Sequence, residues 1–243
     1  MAINTLLFQL TAKSVQLLRE RAGQRRLSAL AFAYPDFIMP KEALEQVLGA
    51  DFVQGLPERP DSAAVRKMHG GSGPVYDSMA LLDRLGIDLA IVDVVALRGI
   101  ERIIDLNDPL PDDLRRRFDL VIDPGTCEHC FNVGMAFRNV CEAVGPGGFL
   151  VHNAPFTFIN HGFWNFSPTV YPDYFDANGF KLHYLGGQAL QADGSHKSFP
   201  VDAFRRFAAP LNGILYVAAE RIDDRPPVWP VQHKYKAMLG AKG

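Results

Sequence analysis

The pattern of apolar and polar positions is most regular in the middle of the chain. Asp88–Val95 (DLAIVDVV), Arg102–Leu106 (RIIDL), Asp119–Asp123 (DLVID) and Phe149–His152 (FLVH) are short apolar runs that read as strands. Pro111–Arg117 reads as a short helix. Val133, Phe137, Val140 and Val144 share one face of a helix over 131–144, which Gly145-Pro146-Gly147-Gly148 breaks. Upstream, Leu6, Leu7, Leu10, Val15, Leu17 and Leu18 mark an amphipathic helix over 3–21, and Ser28–Ala33 is a strand ended by Tyr34-Pro35-Asp36. Lys41–Leu48 and Tyr76–Leu85 read as helices stopped by Gly49 and Gly86, with a loop-rich excursion over 50–75. Downstream, Tyr171–Asn178 reads as a helix, and Phe180–Tyr184 and Ile214–Ala219 as strands.

Apolar strands separated by helices predict a sheet covered on both faces, and hence a mainly parallel one. The expected fold is a single doubly wound α/β domain over 1–243, with an insertion at about 38–75 and a Pro-rich tail from about 224 on the surface. In such sheets ligands collect beyond the carboxyl ends of the strands. Those ends carry Asp93, Asp105, Asp123 and His152 or Asn153. Three acidic groups there suit a ligand with hydroxyls, amines or positive charge better than a polyphosphate.

Composition narrows the class. Apolar residues make up 48% and charged residues 21%, as in an ordinary globular protein with a full core. A net charge of -2 argues against nucleic acid as a partner. Arg115-Arg116-Arg117 reads as a solvated helix end. Three cysteines are too few for a disulfide framework, and the sequence shows neither a signal peptide nor a stretch long enough to span a membrane. A soluble, cytoplasmic protein is the expectation; oligomeric state is not legible.

The stretch GTCEHCF, Gly125–Phe131, has two cysteines at C-x-x-C spacing around Glu128-His129. A zinc site there needs two more ligands at workable spacing, and the scattered histidines and Cys141 offer none. A redox dithiol belongs after a first strand, whereas this motif follows a later one and holds a charged pair in its middle. No metal is expected. Asp93 can accept hydrogen bonds from both hydroxyls of a ribose or cap a helix, and Asp105 can flank a base or close a turn; position alone leaves both open.

The run RFDLVIDPGTCEHCFNVGMAFRNVCEAVGPGGFLVHNAPF, followed by SPTVYPDYFDANGFKL, resembles class I S-adenosylmethionine-dependent methyltransferases over about residues 88–184. The resemblance implies a Rossmann-like fold, S-adenosylmethionine as cofactor, and methyl transfer to oxygen or nitrogen of a small-molecule or sugar-like acceptor. It implies Asp93 on the ribose and Asp105 and Leu106 beside the adenine. By the same resemblance Asp123 and Gly125 fall in the loop between cofactor and acceptor. Glu128 and His129 match the family's Glu-His pair at the next helix entrance, where a His can accept the proton of an attacking hydroxyl. His161, beside Gly162, offers a second base or a structural histidine, and the aromatics from Phe156 to Tyr171 a roof over the pocket. One departure stands out: the turn after the first strand, Ala31-Phe32-Ala33-Tyr34-Pro35-Asp36, should be Gly-rich and has no glycine. Ala33 and Tyr34 would border the cofactor there. The Gly-rich stretch at 69–73 has no strand before it and reads as a link rather than a displaced cofactor loop. A methyltransferase-like binding or assembly domain without cofactor is the alternative this departure supports.

Overall fold

The computed structural model describes residues 2–69 and 73–240. In chain order its elements are β1 (Ala2–Ile3), α1 (Thr5–Ala22), β2 (Leu27–Phe32), β3 (Asp36–Phe37), α2 (Lys41–Leu48), α3 (Ala50–Val53), α4 (Ser62–His69) and α5 (Ser78–Arg84). There follow β4 (Ile87–Asp93), β5 (Arg102–Ile103), β6 (Phe118–Asp123), α6 (Val133–Ala143), β7 (Val144–Pro155) and α7 (Val170–Ala177). The chain closes with β8 (Phe180–Leu190), β9 (His196–Phe199), β10 (Gly213–Arg221) and α8 (His233–Gly240).

Eight strands form one sheet in the order β5-β4-β2-β6-β7-β10-β8-β9, while β1 and β3 make a small parallel pair. Period-two alternation sends successive side chains to opposite faces. Leu30, Phe32, Val121 and Leu150 enter a core with α6 and α7, whereas Ala29, Ala31, Ile122 and Val151 pack with α1, α2 and α5. Both faces are therefore covered, which is why the strands read as continuous apolar runs. Side-chain caps set the helix starts: Asn4 accepts from Leu7 N, Asp77 from Ala80 N and Asn132 from Met135 N.

The mainly parallel sheet is corrected to a mixed one. The pairs among β5, β4, β2, β6 and β7 are parallel, but β10 runs antiparallel to both β7 and β8, and β9 antiparallel to β8. Apolar content cannot report direction; the connection does. The chain passes from β7 to β8 through α7, a crossover, but from β8 to β9 through a tight turn at Gln191–Ser195 with Gly194 at φ 81°.

Other expectations shift at their edges. The excursion over 50–75 holds α3 and α4, whose Val53 and Val65 are buried. Residues 70–72, the middle of the expected link at 69–73, lie outside the described residues, and His69 belongs to α4. Pro111–Arg117 is a single 3-10 turn at Asp112–Leu114, because Arg116 takes a φ of 53° that no helix continues. The arginines around it bond locally, Arg116 to Asp224 and Arg117 to the Asp113 carbonyl. β5 keeps two residues of the five expected, since Asp105 turns the chain by accepting from Asn107 N. The tail lies over the surface until α8, pinned by the mutual bonds of Asn178 with Val228. No helix among the described residues is long and apolar enough to cross a membrane.

Candidate functional site

The strand order reverses between β2 and β6, so their carboxyl ends open a crevice. The chain leaves β2 through Ala33, whose N–H donates to the Val92 carbonyl at 2.8 Å and whose φ is 67°. This left-handed bend is the turn in which glycine was expected. Across the crevice the loop after β6 is tied to β2: Thr126 Oγ1 donates to the Phe32 carbonyl at 2.8 Å, and Thr126 N donates to Asp123 Oδ1 at 2.8 Å.

Two cavities flank this junction. The first, of about 300 Å³, gathers Ala33, Tyr34, Asp93, Asp105 and Leu106, and reaches His129 and Cys130. Asp93 Oδ1 accepts from Val94 N and Val95 N, and its other oxygen holds no hydrogen bond among the described residues. The helix cap foreseen for Asp93 is corrected to a turn cap, since no helix follows β4, while the ligand-acceptor role stays open to its other oxygen. Arg98 also lines this cavity, but its guanidinium lies 4.0 Å from the centre of the Tyr34 ring and is shared with Asp36 and Glu101. Its charge is met within the protein, which leaves no bare cation for a phosphate.

The second cavity, of about 250 Å³, is lined by Gly125, Glu128, His129, Asn153 and His161, with His69 and His196 also on its wall. Four of the seven histidines thus meet at one space. His161 Nε2 lies 3.6 Å and His129 Nε2 4.0 Å from Glu128 Oε1, and the two rings are 5.4 Å apart. Phe158 stacks on His161 at 4.9 Å. The loop bearing His161 is anchored on Glu128 itself, whose carbonyl accepts from Phe163 N and Trp164 N. Gly162 makes this approach possible, since a Cβ there would stand 2.8 Å from the same carbonyl oxygen.

Electrostatics separates the three groups. Burial, with the charge of Asp123 behind it, pushes the Glu128 carboxyl well above the usual carboxylate range. Burial lowers His129 and His161, and also His69 and His196, so their imidazoles are neutral acceptors near neutral pH. Glu128 Oε2, Asn153 Oδ1 and His69 Nε2 are buried without a hydrogen-bond partner among the described residues, although His69 Nε2 lies 3.9 Å from Asp36 Oδ2.

Asp123 and Gly125 fall outside the first cavity. Asp123 is 0% exposed and lies beneath the loop, with Oδ2 2.8 Å from His152 Nδ1, while His152 Nε2 meets the Tyr171 hydroxyl at 3.1 Å. Burial alone would raise Asp123, but His152, Cys127 and Thr126 N outweigh it and hold the carboxyl below its usual range. Gly125 lines the second cavity. The cysteines serve this packing. Cys127 is buried and its thiol is pushed well up by burial and Asp123; Cys130 is pushed up to about 11 by burial. Neither is a thiolate at neutral pH, as a dithiol centre requires.

The aromatics after β7 divide. Phe158 borders the second cavity, and Phe166 and Tyr171 pack around Phe137 in the core. Phe163 and Trp164 stand exposed beside Phe131. Asn153 was one of two candidates for its strand end, and alternation along β7 separates it from His152, which points inward. His69 and His196 carried no signal in the sequence, because distant segments bring them in.

No family model matches the chain, and no curated relative does. Solved structures give distant likenesses. A Burkholderia thailandensis 1,6-didemethyltoxoflavin-N1-methyltransferase, bound to 1,6-didemethyltoxoflavin and S-adenosylhomocysteine, is 13% identical with a TM-score of 0.42, over 88% of this chain and 79% of that one. The CurJ carbon methyltransferase is 12% identical with a TM-score of 0.45, over 88% of this chain and 54% of that one. The DszA carbon methyltransferase is 11% identical with a TM-score of 0.44 over the same shares. The chain thus spans about half the length of the two carbon methyltransferases. At these identities and TM-scores the likenesses carry no weight of their own for function.

Proposed function

We propose that this protein is an S-adenosylmethionine-dependent methyltransferase acting on an oxygen or nitrogen of a small-molecule or sugar-like acceptor. The observation that carries the reading is that two cavities at the switch point of the sheet share His129. The first suits the cofactor. Its volume lies within the range of small-molecule sites, Asp93 keeps a carboxylate oxygen for ribose hydroxyls, and Asp105 and Leu106 offer a polar edge and an apolar wall for adenine. Ala33 and Tyr34 border it where the chain bends after β2.

The cofactor supplies a methyl group on a sulfonium, a good leaving group, so the protein's task is alignment and removal of a proton. The second cavity holds the acceptor. Neutral His129 and His161 accept its proton, and the Glu128 carboxyl, raised by burial, orients its reacting group.

Calorimetric titration with S-adenosylhomocysteine tests the reading. Binding is expected, with Asp93→Ala weakening it about 10- to 100-fold through loss of hydrogen bonds to a charged group, and Cys127→Ser leaving it unchanged. Absence of binding at millimolar ligand overturns the reading. It would favour the alternative of a binding domain without cofactor, for which the glycine-free bend at Ala33 is the supporting observation.

A further inference from the structure

We propose that Glu128, His129 and His161 form a binding site for one divalent transition-metal ion on the wall of the second cavity. One ligand atom from each lies within 4.8 Å of the other two. Around an ion held at about 2.1 Å, neighbouring ligand atoms stand roughly 3 to 3.5 Å apart. The separations of 3.6 and 4.0 Å from Glu128 Oε1 to the two Nε2 atoms therefore need to close by less than about 1 Å. Both histidine side chains, 45% and 40% exposed, have room to turn, while Glu128 is held at 1% exposure.

An independent observation points the same way. Glu128 is buried, yet its Oε2 has no hydrogen-bond partner among the described residues. Buried polar atoms are almost always paired, and an orphaned carboxylate oxygen is a costly one. It lines the same cavity as Asn153 Oδ1, which has no hydrogen-bond partner among the described residues. A cation held by Oε1 beside the two imidazoles satisfies Oε2 as well when the carboxylate binds it through both oxygens, and it has further lone pairs within the same space.

The chemistry of the donors names the ion. Two imidazole nitrogens and one carboxylate, with remaining positions open, suit Zn²⁺ or Fe²⁺; magnesium and calcium take oxygen ligands. A second trio, Asp123, Cys127 and His152, is equally close but closed, since His152 already bonds both Asp123 and Tyr171 and all three are buried. The open positions at Glu128 face the cavity, so an acceptor hydroxyl that coordinates there loses its proton more readily, to solvent on the exposed side of the two rings. With the ion bound, the imidazoles act as its ligands instead of as proton acceptors. That consequence rests on the methyl-transfer reading and narrows it to oxygen acceptors; ion binding does not depend on it.

The test is titration of the chelator-stripped protein with Zn²⁺ by calorimetry, repeated with Co²⁺ by visible absorption. One ion per chain is expected. His161→Ala and Glu128→Gln should each weaken binding at least about 100-fold, the upper end of what removal of an outer-shell partner produces. Cys130→Ser should retain the affinity. Unchanged affinity in His161→Ala overturns the proposal, as does affinity that follows Cys130. Because the His161 ring is exposed, its variant decides even if Glu128→Gln does not fold. S-adenosylhomocysteine titrated with chelator present keeps the two readings apart. Cofactor binding without Zn²⁺ binding overturns the metal site alone, and Zn²⁺ binding without cofactor binding overturns methyl transfer alone.

Discussion

Ala33 holds a left-handed backbone at the point where β2 opens into the crevice. A residue with a Cβ costs about 1 to 2 kcal/mol there, against roughly 0.5 to 1 kcal/mol of extra chain entropy for glycine. Ala33→Gly should therefore stabilise the protein by about 0.5 to 1 kcal/mol in denaturant unfolding, without weakening S-adenosylhomocysteine binding. A loss of stability would mean that the methyl group packs for more than its strain. The residue also shows how the sequence misleads. The absent glycine suggested a missing turn, yet the bend is present, because backbone conformation is imposed by the strands on either side and not by residue type alone. Glu128 and His129 were legible as a pair from their own stretch, but their partner His161 was ambiguous until a loop anchored on the Glu128 carbonyl brought it near. Asp123 was legible as a strand-end carboxylate; its inward aim toward His152 was not.

At the scale of elements, the junction of β6 with β7 is set by glycine. The run Gly145–Gly148 was expected to separate a helix from a strand, and the structure carries β7 through it. A Cβ on Gly148 would lie 2.7 Å from the Phe118 carbonyl oxygen, so the run allows two backbones to approach across a register shift. Gly148→Ala should destabilise by about 1 to 3 kcal/mol, read as a lower denaturant midpoint, through overpacking. The opposite edge of β6 is held by charge: Asp119 takes both nitrogens of Arg25 at 2.8 and 2.6 Å and Ser28 N at 2.8 Å, joining β6 to β2. Burial raises the Asp119 carboxyl, but Arg25 and Ser28 outweigh it and the net shift is downward. Its stabilisation is therefore complete above the unfolded value of about 3.9 and is lost as pH falls through the depressed folded value. Asp119→Asn should cost roughly 1 kcal/mol at pH 7, since Arg25 is half exposed, and the gap from the native protein should close below about pH 3 in thermal melts.

For the whole molecule, the crevice joins segments from β2, β4, β6, β7 and the N-terminus, so a ligand bound there stabilises the folded state as a unit. With S-adenosylhomocysteine at a hundredfold its Kd, the linkage is about 2.7 kcal/mol, or a rise in Tm of roughly 5 to 10 °C by calorimetry. No shift at saturating ligand would count against the methyltransferase reading. The sequence by itself determined the rhythm of strands and helices, the double covering of the sheet and the ranking of strand-end acids. Those depend on short-range periodicity and on burial, which local composition records. Only the tertiary structure decided the antiparallel β10, the inward turn of Asp123 and the meeting of four histidines at one cavity. Strand direction and the convergence of distant side chains depend on how connections return across the sheet, and no local pattern of residues encodes that.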